Sequence, residues 1–341
     1  MTGWFTPPGF RPAPPPEGGN DPVPGGWATR IDLASLLALR NAALGLSMDP
    51  VRARSGQSGA TLSLFKGRGI EFAESRPYQA GDEVRHMDWR VTARTGKPYT
   101  KIFHEDRERA TLVWIDLCPA MFFATRGMFK AVAAARGAAL VAWGAALQGN
   151  RLGGLLFTDR EHREVRPTRG DHGVLRLLGL LAAAGPTDQP SPSTTEQAME
   201  ESLVRLRRVT QPGSRLFLFG DFARLGDREK VHLAQLARRN DVILVFIYDL
   251  LERMLPPPGW YPVSDGEHRF LLDSHSPDQR RRYQERFQQR LAALARFCQQ
   301  HGLLLLSCAT GEDIVALLQR ALGMPLTTLR RAGHGIPHPR L

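Results

Sequence analysis

Lysine is almost missing from this chain. Of its 45 cationic side chains only Lys66, Lys97, Lys101, Lys130 and Lys230 are lysine; the rest are arginine. With abundant alanine, glycine and proline, that bias matches the codon usage of a GC-rich bacterial genome and accounts for part of the formal net charge of +11. Cysteine is scarce as well. Cys118, Cys298 and Cys308 are too few and too scattered for a disulfide framework or a zinc site, which fits a reducing cytoplasm. No phosphate-cradling G-x-x-x-x-G-K-[ST] loop occurs, so the chain is not itself an ATPase. No basic run is interleaved with aromatics in the way a nucleic-acid stacking platform requires. A charged-then-apolar leader is also missing. The best candidate for a membrane span, residues 131–147, contains Arg136 and two glycines and falls short of ~20 apolar residues. These absences lead us to expect a soluble cytoplasmic protein with no membrane insertion.

What is present is organised around residues 110–121, ATLVWIDLCPAM. An apolar run at 112–115 has strand length and delivers Asp116 into a turn broken by Cys118 and Pro119. An alanine-rich helical segment follows at about 129–147. The same arrangement recurs downstream, with Asp221 after the run 216–219 and Asp249 after 242–248. Buried strands that release carboxylates before helices predict a doubly wound, mostly parallel α/β sheet, whose ligands sit outside the carboxyl ends of the strands. Asp116 and Asp221 are the two carboxylates expected to share one crevice.

Around that core the chain divides into four stretches. Residues 1–27 hold eight prolines and six glycines without apolar periodicity, a composition that cannot bury enough surface to offset its ordering entropy. Residues 28–109 combine a packing helix at 31–46, a Gly/Ser/Arg-rich loop and a small β-rich subdomain. Residues 110–323 form the α/β domain, and 324–341 a basic tail. Within the α/β domain, Ser193 to Glu196 reads as a capping box, Asp265-Gly266 as a hairpin turn, and Ser276-Pro277 as a helix start. The helix begun there bears the cluster Arg280 to Arg282.

The densest polar stretch is 67–109. Within it Asp82, Arg85, Asp88, Arg90 and Arg94 alternate in sign around Met87 and Trp89. One reading is a clamp in which arginines hold carboxylates bidentately. The other is a recognition surface with Tyr78 and Trp89 as hot spots. Glu71-Phe72, Arg76, Tyr78, Gly81-Asp82, Arg85, Asp88-Trp89 and Ala93-Arg94 also resemble, element for element, the signature of the domain-of-unknown-function 58 (DUF58) family. The resemblance extends over about residues 30–323.

That resemblance implies a von Willebrand factor A-like domain after the signature, and in many such domains a Mg²⁺ site. Its usual ligands are a D-x-S-x-S loop after the first strand, a later threonine and an aspartate after the fourth strand. This chain keeps Asp116 and Asp221, and Thr194 or Thr195 falls where the threonine belongs. Cys118 and Ala120 replace both serines, and a thiolate is too soft for Mg²⁺, so the metal site is expected to be degenerate. The resemblance further implies a MoxR-type AAA+ ATPase as partner and a chaperone-like part in maturing or activating a client protein complex. Two other classes compete. One is a basic nucleic-acid-binding protein using the Arg280 to Arg282 cluster. The other is a hydrolase using Asp116 with Asp221, or Cys118, whose pKa would fall if it opened a helix. The nearest following arginine, Arg126, is eight residues beyond Cys118, too far for a cysteine-phosphatase loop.

Overall fold

The computed structural model describes residues 28–46, 70–79, 84–105, 110–125, 127–185, 195–264 and 269–323. The chain forms two units, one of residues 54–108 and one that joins 1–53 to 109–341. Helix α1 (Leu33–Ala42), capped by Asp32 through the Ser35 amide, therefore belongs with the α/β unit. Grouping it with the signature region, as residues 28–109, does not match the contacts. Its buried Leu36 and Leu39 share the core of that larger unit, and the Leu36 carbonyl accepts from the Trp143 indole at 3.2 Å.

In the smaller unit, strand β1 (Ile70–Pro77) pairs antiparallel with β2 (Tyr99–Glu105), and the register shifts between Phe72 and Glu74. The second half of the signature, expected within a β-rich subdomain, is helix α2 (Trp89–Thr95). Asp88 starts it by accepting from the Arg90 and Val91 amides. Gly96, at φ 67°, ends it in the left-handed conformation that glycine adopts without strain.

The larger unit begins its sheet with β3 (Ala110–Asp116), followed by α3 (Lys130–Leu147), β4 (Arg151–Phe157), β5 (His162–Thr168), α4 (Asp171–Ala182) and α5 (Thr195–Val209). Then come β6 (Arg215–Gly220), α6 (Asp227–Ala237), β7 (Asp241–Tyr248) and the short α7 (Leu250–Arg253). A hairpin of β8 (Trp260–Ser264) and β9 (Arg269–Asp273) leads to α8 (Pro277–His301), β10 (Leu304–Ala309) and α9 (Ile314–Gly323). The expected turn at Asp265-Gly266 and the residues Ser193 and Thr194 lie outside the described residues. Sheet order is β10-β7-β6-β3-β4-β5, parallel throughout except for β5 at the edge. The connections thus run one way from β3 to β4 and the other way from β6 to β7. The strand order reverses between β3 and β6.

Period-two alternation sorts the strand residues onto two faces. Val113, Ile115, Phe219, Val245 and Ile247 enter the layer built by α1, α3, α4 and α9. Leu112, Trp114, Leu218, Leu244 and Phe246 enter the layer built by α5, α6 and α8. Helix α3 is 18 residues long and as apolar as a membrane span, yet 83% of it is buried in this core. Its small residues let neighbours approach closely. A Cβ on Gly137 would lie 2.6 Å from the Phe219 ring and 2.9 Å from Ile314.

Candidate functional site

The switch point between β3 and β6 carries the site. Asp116 is the last residue of β3 and is buried, and its Oδ1 accepts the Cys118 amide at 2.9 Å, which turns the chain sharply. Asp221 follows β6; its Oδ1 accepts the Ala223 amide at 2.9 Å and its carbonyl accepts from the Arg290 guanidinium. Glycine at position 220 lets the strands close up here, because a Cβ would sit 3.3 Å from Asp116 Cβ. The next residue, Phe222, has φ 45°, rare for an aromatic residue. It is held by burial and by its stacking on Trp114, with centroids 6.2 Å apart. Backbone strain of this kind concentrates at functional strand ends.

A lysine fills the crevice. Lys130 is the first residue of α3 and is wholly buried, at 0% exposure. Its ammonium donates to Asp221 Oδ2 at 3.0 Å and to Glu252 Oε1 at 2.6 Å. A cation at a helix N-terminus opposes the helix dipole, so these two carboxylates hold it there. Glu252 is itself fixed, since its Oε2 accepts the Asp249 amide at 2.8 Å to complete a capping box on α7. Arg290 reaches inward from α8 because it lies on the same helical face as Phe287 and Leu294, and it stacks over Phe246 at 5.3 Å. Burial alone would raise the Asp221 pKa, but Lys130 and Arg290 outweigh it and hold the carboxyl at about 2. Lys130 is raised above its ordinary value, its burial outweighed by Asp221 and Glu252. Asp116, desolvated and beside the Asp221 charge, is pushed up to about 7. Lys130 and Arg290 thus favour the Asp221 anion, and Asp116 beside it holds its proton to a higher pH than an ordinary carboxyl.

Asp249, at the end of β7, is saturated in another way. Its two oxygens accept the Thr125 amide and hydroxyl, the Thr310 hydroxyl and the Leu251 amide, all at 2.7–2.9 Å. This one carboxylate ties together the loops after β3, β7 and β10. Nearby, the Tyr283 hydroxyl donates to the Leu251 carbonyl at 2.9 Å. Burial, then Glu252 and Asp249, push the Tyr283 hydroxyl up to about 12.

The expected pair, Asp116 and Asp221, is therefore brought together, with Cys118 beside it. The suggestion that Cys118 gains thiolate character is corrected. It is buried and precedes only a three-residue 3₁₀ turn, and burial followed by the Asp116 charge raises its pKa well above the usual thiol value. Thr194 lies outside the described residues, as does the side chain of Thr195, the first residue of α5. The remaining donors do not fit Mg²⁺ as they stand. An ammonium already occupies the Asp221 and Glu252 oxygens that face the crevice, Cys118 offers a protonated thiol, and Ala120 offers nothing. Among the described residues no cluster of His, Cys, Asp and Glu is arranged to hold a metal ion.

The signature residues divide between support and surface. Glu71 lies in β1 opposite His104, and Arg76 opposite Thr100, with its Nη1 donating to the Pro77 carbonyl at 3.2 Å. The Tyr78 amide donates to the Pro98 carbonyl at 2.9 Å, while Gly81 and Asp82 lie outside the described residues. Asp88 is buried; besides capping α2 it accepts the Ser75 hydroxyl at 2.7 Å. Its neighbour Trp89 is 65% exposed, and Val84, Arg85 and Arg94 are exposed as well.

Strand order, the antiparallel edge strand and the carboxylates at the switch point together define a doubly wound domain of the von Willebrand factor A-like kind. The chain belongs to the DUF58 family: the family model, described as a protein of unknown function, matches residues 74–293. An uncharacterised protein of Mycobacterium tuberculosis is 30% identical over 270 residues, covering 77% of this chain and 81% of the relative. Its Mycobacterium bovis counterpart matches equally. Among solved structures, a conserved hypothetical protein BatB from Bacteroides thetaiotaomicron aligns with 65% of this chain and 99% of its own, at 9% identity and a TM-score of 0.38. The von Willebrand factor A domain of SpRpn10 covers 64% of this chain and 96% of its own, at 13% identity and a TM-score of 0.34.

Proposed function

We propose that this protein is a non-enzymatic adaptor that works with a MoxR-type AAA+ ATPase in maturing or activating a client protein complex in the cytoplasm. One observation carries the non-enzymatic part. The groups at the strand ends that would have to react are buried, as Asp116 is with its Oδ1 on the Cys118 amide, or committed to the protein's own donors and cations. Asp221 and Glu252 hold Lys130, Asp249 is saturated by hydroxyls and amides, and Cys118 is a buried thiol. A general base or nucleophile must be within reach of a substrate and in the right protonation state, and none of these meets both conditions. Exposed Trp89, next to a buried capping aspartate, is the recognition element we assign to the signature. An exposed tryptophan on a well-anchored helix is the kind of side chain that dominates protein–protein binding. The ATPase partner is what the signature's resemblance implies.

The test is an affinity pull-down of the tagged full chain from source-cell lysate, with and without ATP, read by mass spectrometry and by absorbance for nucleic acid. Nucleotide-dependent recovery of an AAA+ ATPase, lost with Trp89→Ala, is the expected result. Recovery of nucleic acid alone, abolished by changing Arg280, Arg281 and Arg282 to glutamate, would replace the adaptor with the basic-surface reading.

A further inference from the structure

Four charged groups from separate parts of the chain converge on the strand-end crevice: Lys130 from α3, Asp221 after β6, Glu252 from α7 and Arg290 from α8. Asp116 stands beside them at the end of β3. We propose that the Lys130 ammonium is the resident cation of this crevice, taking the place of a divalent metal, so that the domain keeps its strand-end architecture without metal. The inference rests on this geometry and not on the adaptor reading.

Three observations carry it. First, the ammonium lies at charge-assisted hydrogen-bond distance from two carboxylates, 3.0 Å and 2.6 Å, and is shut off from water. A divalent ion on the same oxygens would have to displace it or stand against a like charge in a low-dielectric site. Second, each anion is also held from behind. The Ala223 amide fixes Asp221, and the Asp249 amide fixes Glu252. The cradle is therefore preformed and does not collapse around the lysine. Third, the residue type is informative in a chain whose cations are nearly all arginine. A compact ammonium with three donors fits between two converging carboxylates, where the broad planar guanidinium does not. Truncating Lys130 would leave the buried Asp116 and Asp221 carboxyls and the part-buried Glu252 with Arg290 as the remaining cation, an oxygen-rich site of the sort that recruits Mn²⁺ or Mg²⁺.

The experiment uses the full chain after treatment with EDTA. Mn²⁺ binding is followed by the loss of the free-ion electron paramagnetic resonance signal, and thermal unfolding by calorimetry with Mn²⁺ or EDTA. We expect the wild type to take up no stoichiometric Mn²⁺ and to melt at the same temperature in both solutions. Lys130→Ala should melt lower in EDTA, bind Mn²⁺ stoichiometrically and recover several degrees with it. Adding Asp221→Asn to that variant should abolish the gain. Stoichiometric uptake by the wild type, with a melting shift that Asp221→Asn removes, overturns the proposal whatever the variant does. So does a folded Lys130→Ala chain that takes up none. If Lys130→Ala is unfolded in EDTA, refolding in Mn²⁺ but not in Na⁺ of equal ionic strength supports the proposal, and failure to refold in either overturns it. Pull-down of a partner does not enter any of these outcomes, so the adaptor reading stands or falls separately.

Discussion

The strand-end crevice and the signature helix are written in the same residue types, aspartate beside arginine, lysine and aromatics, yet the fold treats them in opposite ways. In the crevice Lys130 and Asp221 are buried, the ammonium pairs with both Asp221 and the part-buried Glu252, and the part-buried Arg290 donates to the Asp221 carbonyl. Among the described residues of the signature unit, Asp88 and Thr100 are the buried polar groups, while Arg85, Arg94 and Trp89 face water. Buried charge is tolerated only when paired, and breaking one partner leaves the other uncompensated. Exposed charge is screened and contributes little. The crevice is therefore the place where a substitution should unfold the protein, and the signature surface the place where it should disturb binding alone.

The sharpest way to break that contrast is Lys130→Met, which fills the space but takes the ammonium from between Asp221 and Glu252 and leaves Arg290 as the cation beside them. We expect a loss of about 3–5 kcal/mol, the range for orphaning a buried ion-pair partner, measured as a shift in urea midpoint. A change below about 1 kcal/mol, within the range of exposed pairs, would mean that the crevice is wet and behaves like the signature surface.

Much of this arrangement was readable along the chain, for definite reasons. The runs that became β3, β6 and β7 are continuous and apolar, built of β-branched, aromatic and leucine residues, and each leads into an aspartate, so fold class and the Asp116/Asp221 pairing followed from local pattern. Ser276-Pro277 fixed the start of α8 in the same way. Lys130 and Glu252 were not readable. Lys130 meets Asp221 across 91 residues and Glu252 across 122, and no local spacing encodes such contacts. A signal existed nonetheless: a lysine opening an alanine-rich helix, where the dipole disfavours it, in a chain whose cations are nearly all arginine. Arg290 carried a similar one, lying on the apolar face between Phe287 and Leu294. The seven-residue helix α2 was too short for its period to show, and its cap and closing glycine were the only marks it left.

Proton linkage offers a second contrast, within the crevice itself. Asp221, held at about 2 against an ordinary 3.8, gives stability that is present above pH 4 and lost as pH falls through 2. Asp116, raised from 3.8 to about 7, does the reverse: the fold binds a proton the unfolded chain has released, so stability declines as pH rises from 4 to 7. The groups facing Asp116 are Asp221, Lys130 and the Cys118 amide and thiol. We expect wild-type stability to be greater at pH 5 than at pH 8 by a few kcal/mol at most. Asp116→Asn keeps an acceptor for the Cys118 amide and should flatten that decline. An unchanged slope in urea unfolding at the two pH values would place Asp116 in water.

Packing around the same sheet gives a smaller effect. Gly137→Val would press its added atoms against the Phe219 ring and Ile314 and should cost about 1–3 kcal/mol, as overpacking does. The exposed Gly96 end of α2 has nothing within 4 Å of an added Cβ. There only the left-handed backbone opposes substitution, and Gly96→Ala should cost about 1 kcal/mol.

The finest test lies between two adjacent residues of the signature, Asp88 and Trp89. Asp88→Ala removes the α2 cap and the Ser75 partner together, and should cost about 1–2 kcal/mol by loss of the cap alone. Trp89→Ala removes an exposed side chain from the start of the same helix, where alanine is the better helix former, and should change stability by less than about 0.5 kcal/mol. Partner capture should follow the opposite order: Trp89→Ala loses it at full stability, whereas Asp88→Ala loses it only as far as the helix frays. Melting curves and pull-downs on the same two purified variants decide the matter. If Trp89→Ala melts as low as Asp88→Ala, the tryptophan is part of the clamp and the signature has no free recognition face. If both variants are stable and both still capture the ATPase, recognition lies elsewhere on the chain.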